Sequence, residues 1–381
     1  MTWQVRTVMD RRRELVQALG AGEPLARVSR GLGVSRTTAY KWLGRYALQG
    51  ETGLRDRSRR PKTSPRQTPP GMEAQVCELR RQHPYWGGRK LHHRLKHLGV
   101  LGVPSPSAIT DILNRNGLLS DQRRLKRDWQ RFEAAEPNQM WQMDFKGDFP
   151  IGNGRCYPLT VVDDHSRFNL CLKACPGQRG DTVKSQLLPV FDSYGLPETI
   201  LVDNGPPWGS GYSRQPHTRF TAWLMRLGIY VSHGRPYHPQ TRGKDERFHR
   251  SLKLEVLRDG SWQSLEEVQE SLDRWQQVYN LERPHEALAY AVPASRYRPS
   301  PRALPSRLPA IEYPASDQVR RVQRPGEISF KGRIYQIGRA FAGEPVALRE
   351  AEEDGVWDIY YCKQKLSTLD LRSPLPTQED L

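Results

Sequence analysis

Three carboxylates in the sequence stand where metal-assisted phosphodiester chemistry would need them. Asp144 lies in the apolar run Met140-Trp-Gln-Met-Asp-Phe145, Asp203 closes the β-branched run Thr199-Ile-Leu-Val ahead of Asn204-Gly205, and Glu246 opens the polar side of a helical pattern. The first two runs read as strands, the second ending abruptly at a turn. Two strand carboxylates and one from a covering helix would hold two divalent cations about 3.5 to 4 Å apart, clamping the attacking and leaving oxygens of a phosphodiester. Mg²⁺, with Mn²⁺ as a substitute, suits such an all-oxygen set.

The third acid needs a helix to carry it, and Gly243 to Leu257 reads as that helix. At about 100° per residue Phe248, Leu252 and Val256 fall on one stripe, while Glu246, Arg250 and Lys253 fall on another. The first stripe packs, and the second offers a carboxylate followed by cations to a polyanion. Arg247 either meets phosphate beside them or supports the preceding loop. Each acid alone is ordinary, since an Asp at a strand end is often a turn former. Asp163-Asp164, within Val161-Val-Asp-Asp-His-Ser-Arg167, competes as a ligand source, and Asp245 competes with Glu246. Glu246 is preferred because Asp245 falls near the Phe248 and Leu252 stripe.

A chain of 381 residues is long for one core and suggests about two to four domains. Its net charge of +17 is unevenly spread: Met1 to Asn138 carries 27 Lys/Arg against 12 Asp/Glu, the remainder 32 against 30. A basic front on a near-neutral back points to DNA or RNA bound mainly through the front. The five cysteines form no CxxC pair, which fits reduced thiols in the cytoplasm; Cys171 and Cys175, with Lys173 between them, make a poor zinc pair. Neither a membrane span nor a signal peptide is indicated.

In chain order, residues 1–50 read as a helix-turn-helix DNA-binding domain: helices Arg11 to Leu19, Pro24 to Leu32 and Arg36 to Arg45, with Gly33-Val34-Ser35 as turn and cap. Arg36, Thr37, Thr38 and Lys41 would face the major groove, while Ala39, Tyr40, Trp42 and Leu43 mostly pack inward. A plain three-helix bundle shares this spacing. Residues 51–70 form a basic linker, and residues 71–118 a second helix-turn-helix domain exposing Ser107, Thr110 and Asn114. His92, His93 and His97 read as solvated helical histidines rather than metal ligands. Residues 119–136 are a second basic linker, with Trp129 and Phe132 as anchors.

From 137 to 296 the pattern is an α/β layer fold. Strands Trp141 to Phe149 and Tyr157 to Val162 flank a hairpin turn at Ile151 to Arg155, and Phe168 to Lys173 is a third strand. Helix Asp181 to Tyr194, strand Thr199 to Asp203, helix Phe220 to Leu227 and strand Ile229 to Ser232 follow, then a loop Tyr237 to Gly243. Ser264-Leu-Glu-Glu267 is a capping box opening a helix to about Asn280. Residues 297–325 read as a linker and 326–375 as a small β-barrel that binds DNA or mediates assembly.

The sequence resembles insertion-sequence transposases with a retroviral-integrase-like core. The likeness rests on Pro137-Asn-Gln-Met-Trp-Gln-Met-Asp144, Val161 to Arg167, Val202-Asp203-Asn-Gly-Pro206, Pro239 to Glu255 and Tyr279-Asn-Leu-Glu-Arg-Pro-His-Glu-Ala-Leu288, in the family's order. It implies an RNase H-like catalytic core with Asp144, Asp203 and Glu246 as its metal-binding triad, preceded by two α-helical helix-turn-helix domains and followed by a small β-barrel. It further implies a Mg²⁺-dependent polynucleotidyl transferase that binds terminal inverted repeats, cleaves 3′ ends and transfers them into target DNA. Arg247, Arg250 and Lys253 would meet DNA beside the metals, and the partners would be transposon-end DNA, target DNA and further copies, at least a dimer, on a prokaryotic nucleoid. Two rivals are a DNA-binding regulator with a non-cutting core and an RNase H-like nuclease without strand transfer. The 42 residues between Asp203 and Glu246 exceed the usual gap, and Trp208 to Thr218 reads as the surface insertion that absorbs the excess.

Overall fold

A computed structural model describes residues 7–58, 67–119, 133–209, 216–234 and 243–372. The anchors expected at Trp129 and Phe132, and the loop expected at Tyr237 to Arg242, lie outside the described residues. The chain divides into two compact units, Met1–Gln67 and Thr68–Leu381.

The first unit holds α1 (Val8–Gly20), α2 (Leu25–Gly31) and α3 (Arg36–Gln49). Thr7 and Asp10 close a reciprocal capping box that starts α1 earlier than expected. The chain turns before α3 at Gly33, whose φ of +67° suits glycine, and Ser35 then caps α3 by accepting from the Thr38 amide. Leu15, Val16, Val28, Ala39, Trp42 and Leu54 form its core. Tyr40 does not join them. It is 62% exposed, because one residue past Ala39 the helix has already turned its side chain to solvent.

The second unit begins with α4 (Pro70–Gln82), α5 (Gly88–His97) and α6 (Pro106–Arg115). Gly88 is required where α5 meets α6, since a Cβ there would stand 2.5 Å from both the Pro106 carbonyl oxygen and Thr110 Oγ1. Of the three helical histidines only His97 is exposed. His92 Nδ1 contacts the Pro104 carbonyl, and His93 stacks on Tyr290 at 4.2 Å, so the solvated reading fails for these two.

Next comes a mixed sheet of β1 (Met140–Phe145), β2 (Phe149–Ile151), β3 (Gly154–Asp163), β4 (Asn169–Cys175), β5 (Thr199–Val202) and β6 (Tyr230–His233). β4, β3 and β1 run antiparallel in that order; β5 and then β6 add in parallel beside β1. The single strand expected from Trp141 to Phe149 is broken between Phe145 and Phe149, with Gly147 at φ +91°, so that the hairpin forms between β2 and β3 instead.

Side chains alternate across this sheet. Trp141, Met143, Phe145, Val161, Ile200 and Val202 pack on one face with α7 (Gly180–Tyr194) and α8 (Arg219–Arg226). Cys156, Val162 and Leu172 pack on the other with α9 (Gly243–Leu252) and α10 (Leu265–Gln277). Both α9 and α10 run on into a widened π-helical turn, at Lys253–Leu257 and Val278–Glu282. This is the RNase H-like architecture the resemblance implied.

The stretch expected to be a free linker from 297 is laid along the core. Tyr297 stacks on Phe168 at 4.5 Å, and Arg302 donates to the carbonyls of Pro197, Leu227 and Gly228. The β-rich C-terminal region starts at Gln318 rather than 326. It has a four-stranded sheet of β7 (Gln318–Arg321), β10 (Pro345–Glu350), β11 (Val356–Tyr361) and β12 (Gln364–Asp370), with a separate hairpin of β8 (Glu327–Phe330) and β9 (Arg333–Gln336). The Gln364 amide accepts from the Val231 N–H and donates to the Val231 carbonyl, both at 2.9 Å, covering the outer edge of β6. Among the described residues no helix is long and apolar enough to cross a membrane.

Candidate active site

Pairing of β1 with β5 sets Met140 beside Thr199, Trp141 beside Ile200 and Gln142 beside Leu201. Continued past these pairs, the same register would bring Asp144 beside Asp203 at the strands' carboxyl ends. Both lie on the face opposite Met143 and Val202, the face that α9 and α10 cover. Each is half-buried. Asp144 Oδ1 accepts from the Phe145 amide at 2.8 Å, and Asp203 Oδ1 from the Gly205 amide at 2.9 Å, closing an Asx turn.

Helix α9 is fastened to that face through Asp144's own strand. Thr160, the register partner of Asp144 on β3, donates its hydroxyl to the Asp144 carbonyl at 3.0 Å. With that hydrogen committed, the 2.8 Å contact between Thr160 Oγ1 and His249 Nε2 has the histidine as donor. Burial lowers the His249 pKa to about 3, so the ring is neutral and this bond places its single N–H on Nε2. His249 follows Glu246 by three residues, so the link ties the carrier of one acid to the carrier of another.

On α9 itself Phe248 and Leu252 are buried as expected, and Glu246, Arg247 and Arg250 are exposed. Val256 is only half-buried, because the helix widens at Lys253 and carries it off the stripe; Lys253 itself remains exposed. Asp245 is 7% exposed and faces inward. Asp144 thus lies on β1 and Asp203 one residue past the end of β5, the strand paired with it, and Glu246 is exposed on the helix that packs on the same sheet face. Among the described residues no three His, Cys, Asp or Glu side chains are gathered tightly enough to hold one ion. The donor type nevertheless fits a hard divalent cation: two half-exposed carboxylates near the ends of paired strands and a third on the helix packed over them.

The competing pair has other work. Asp163 accepts from the Asn138 amide and from the amide and hydroxyl of Ser166, and burial raises its pKa. Asp164 accepts from the Ala134 amide and the Gln142 side chain and pairs with Lys244 at the start of α9. Both aspartates are fully buried anchors.

Arg36, Thr37 and Lys41 are exposed on α3, while Thr38 is half-buried, its hydroxyl 2.9 Å from that of Ser35 in the cap. Ser107, Thr110 and Asn114 are exposed on α6, with the Thr110 hydroxyl donating to the Pro106 carbonyl.

Residue-by-residue reading missed His249, Lys244 and the brace formed by the Tyr279 to Leu288 motif. Tyr279 packs against Phe248 with ring centroids 4.9 Å apart. Asn280 exchanges hydrogen bonds with Asn169 on β4. Arg283 pairs with Glu255 at 3.0 Å and donates to Ser251. The available signal was composition: Asn, Arg and His clustered at the end of an amphipathic helix need buried partners.

Two models of the integrase core domain match residues 134–239 and 227–293. A helix-turn-helix domain matches 11–62, a homeodomain-like domain 38–113, and the C-terminal domain of IS481 family transposases 317–376. The chain is 26% identical over 234 residues to an uncharacterized protein of insertion element IS476 from Xanthomonas euvesicatoria, covering 58% of this chain and 63% of that one. It is 26% identical over 229 residues to one of IS407 from Burkholderia multivorans, covering 58% and 79%. Among solved structures, a chain of the simian T-cell lymphotropic virus intasome in complex with PP2A regulatory subunit B56 gamma aligns at 17% identity and a TM-score of 0.39, over 74% of this chain and 91% of that one. Sheet order and matched domains together define an integrase-type core behind helix-turn-helix DNA-binding domains. Within that class the matches point to insertion-sequence transposases: the C-terminal segment is similar to the C-terminal domain of the IS481 family, and the core to integrase core domains.

Proposed function

We propose that this protein binds the terminal inverted repeats of a mobile element, cleaves their 3′ ends and joins them to target DNA. The observation that supports this reading is the parallel register of β1 on β5, Trp141 beside Ile200 and Gln142 beside Leu201, which continued to the strand ends would set Asp144 beside Asp203 on the sheet face that α9 packs on. Asp144, Asp203 and Glu246 would hold Mg²⁺, which when bound activates a water or a 3′-hydroxyl and stabilises the leaving oxygen. Arg250 and Lys253, exposed beyond Glu246, hold the flanking phosphates, and Arg247 extends that contact. His249 keeps α9 seated through Thr160. End recognition falls to Arg36, Thr37, Thr38 and Lys41 in the first module and Ser107, Thr110 and Asn114 in the second. Joining two ends requires at least two copies on DNA, acting at the bacterial nucleoid.

The test incubates the protein with a labelled element end, a plasmid target and Mg²⁺, scoring joined products separately from nicks. Asp144→Asn, Asp203→Asn and Glu246→Gln are each expected to lower joining by roughly a hundredfold or more while sparing end binding. Nicking without joining in the unaltered protein supports a simple nuclease, and end binding without either product a regulator. Full activity in all three variants would refute the site.

A further inference from the structure

The solvent face of α3 is more than a row of polar residues. At about 100° per residue, Thr37, Tyr40, Lys41, Gly44, Ala47 and Leu48 share one side of the helix, opposite buried Ala39 and Trp42. Tyr40 is 62% exposed and Leu48 86%. Gly44 lies near the centre of this face, one turn beyond Tyr40. Glycine weakens a helix interior, so its presence in a 14-residue helix asks for a reason. The fold supplies none: a Cβ added at Gly44 would meet nothing within 4 Å, and its φ is not in the left-handed range. Neither packing nor backbone geometry calls for glycine there.

A partner that approaches the helix closely would call for it. Arg36 and Lys41 flank the stripe, Arg45 lies at its margin stacked 4.9 Å from the Trp42 ring, and no acidic residue occurs in α3, so the complementary partner is a polyanion. The major groove of B-DNA, about 12 Å wide, barely admits a helix of about 10–12 Å with its side chains, and a missing side chain on the inserted face lets the backbone sit deeper. The groove floor also presents an apolar feature, the thymine methyl group.

We propose that α3 enters the major groove along the Tyr40–Gly44 line, Gly44 setting the depth of insertion and the Tyr40 ring packing on a thymine methyl of the element end. This rests on the helix-turn-helix reading of the first module and adds to it a base preference and a depth-setting residue. Arg36 and Lys41 then hold phosphates or purine edges to either side, while Tyr40 reports the presence of thymine.

The test uses the full chain and a duplex selected by it from a randomised pool. Gly44→Ala is expected to slow amide exchange in α3, since alanine strengthens the helix, and yet to weaken specific binding about tenfold. Replacing thymine by uracil in the selected duplex removes only the methyl groups. It is expected to cost the unaltered protein about fivefold in affinity and Tyr40→Ala nothing further. Gly44→Ala or Tyr40→Ala proteins that bind as the unaltered chain does, while Arg36→Ala and Lys41→Ala bind weakly, would overturn the proposal and leave the helix-turn-helix reading intact. So would a loss of self-association in sedimentation with DNA affinity unchanged, which would make the stripe a contact between copies. If no duplex is selected, or Arg36→Ala and Lys41→Ala are silent as well, the underlying reading falls with it.

Discussion

In the first helix-turn-helix module the charges fold back on their own unit; in the second they reach into the core. Arg12 donates to the Leu54 carbonyl and pairs with Asp56, and Arg13 pairs with Glu51 at 2.6 Å, so the chain after α3 is tied onto α1. The second module sends Arg94 to Glu282, Arg89 to Glu286, Tyr85 to Asp259 and the His93 ring onto Tyr290, all in or near the segments that follow α9 and α10. Val278 also packs against its apolar cluster. Two modules of one design thus divide the labour. The first is a unit by itself, whereas the second belongs to the body that holds the carboxylates.

Acid should separate them most strongly. The first unit contains no histidine, whereas the second holds half-buried His217 and His249 and buried His285, all neutral. Burial lowers their folded pKa values, to about 4 for His217, about 3 for His249 and well below the usual range for His285. The stability they confer is therefore complete above pH ~6.5 and is lost as pH falls towards those values, at about 1.4 kcal/mol per pH unit for each ring. Asp163, raised by burial, works in the opposite sense. Calorimetry between pH 7 and 5 should lower the second unit's transition by several kcal/mol and leave that of the first nearly fixed. A shared shift would break the comparison.

Core truncations come next. Leu15→Ala and Leu91→Ala each empty a buried site and should cost about 2–5 kcal/mol. In calorimetry the Leu15 variant should affect only the first unit's transition, and the Leu91 variant that of the larger one.

Smaller effects sharpen the boundary. Arg94→Ala breaks a partly buried pair and should cost about 1 kcal/mol, read as faster amide exchange in α5. Arg89→Ala removes a pair exposed on both sides and should cost less than about 0.5 kcal/mol, so equal effects from the two would show that burial is not what distinguishes them.

Much of this was legible in the sequence, for local reasons. Ser35 before Arg36, Ser264 before Leu265 and the 3.6-residue spacing of Phe248 and Leu252 report on neighbours along one helix. The position of Asp144 on a strand and of Asp203 just past the end of one followed from apolar runs. What failed depended on distance or on single-residue rotation. Tyr40 sits between Ala39 and Trp42 in the sequence, yet it points the other way. Nothing local separates Asp163 and Asp164 from Asp144, and only the amides of Asn138 and Ala134 reveal them as anchors. The His249–Thr160 bond spans 89 residues, and the widened turn at Lys253–Leu257 leaves no mark in the hydrophobic pattern. The Pro-rich stretch after Tyr297 looked free because its partners are backbone carbonyls, which carry no residue signature.

The amide of Gln364 has a consequence for anyone trimming this chain. By satisfying Val231 from outside, the terminal β domain closes a border of the core sheet that would otherwise lie open to strand pairing by a neighbouring copy. Fragments that stop short of that domain should be prone to stack edge to edge and precipitate, and their insolubility would reflect a missing neighbour rather than a defective interior.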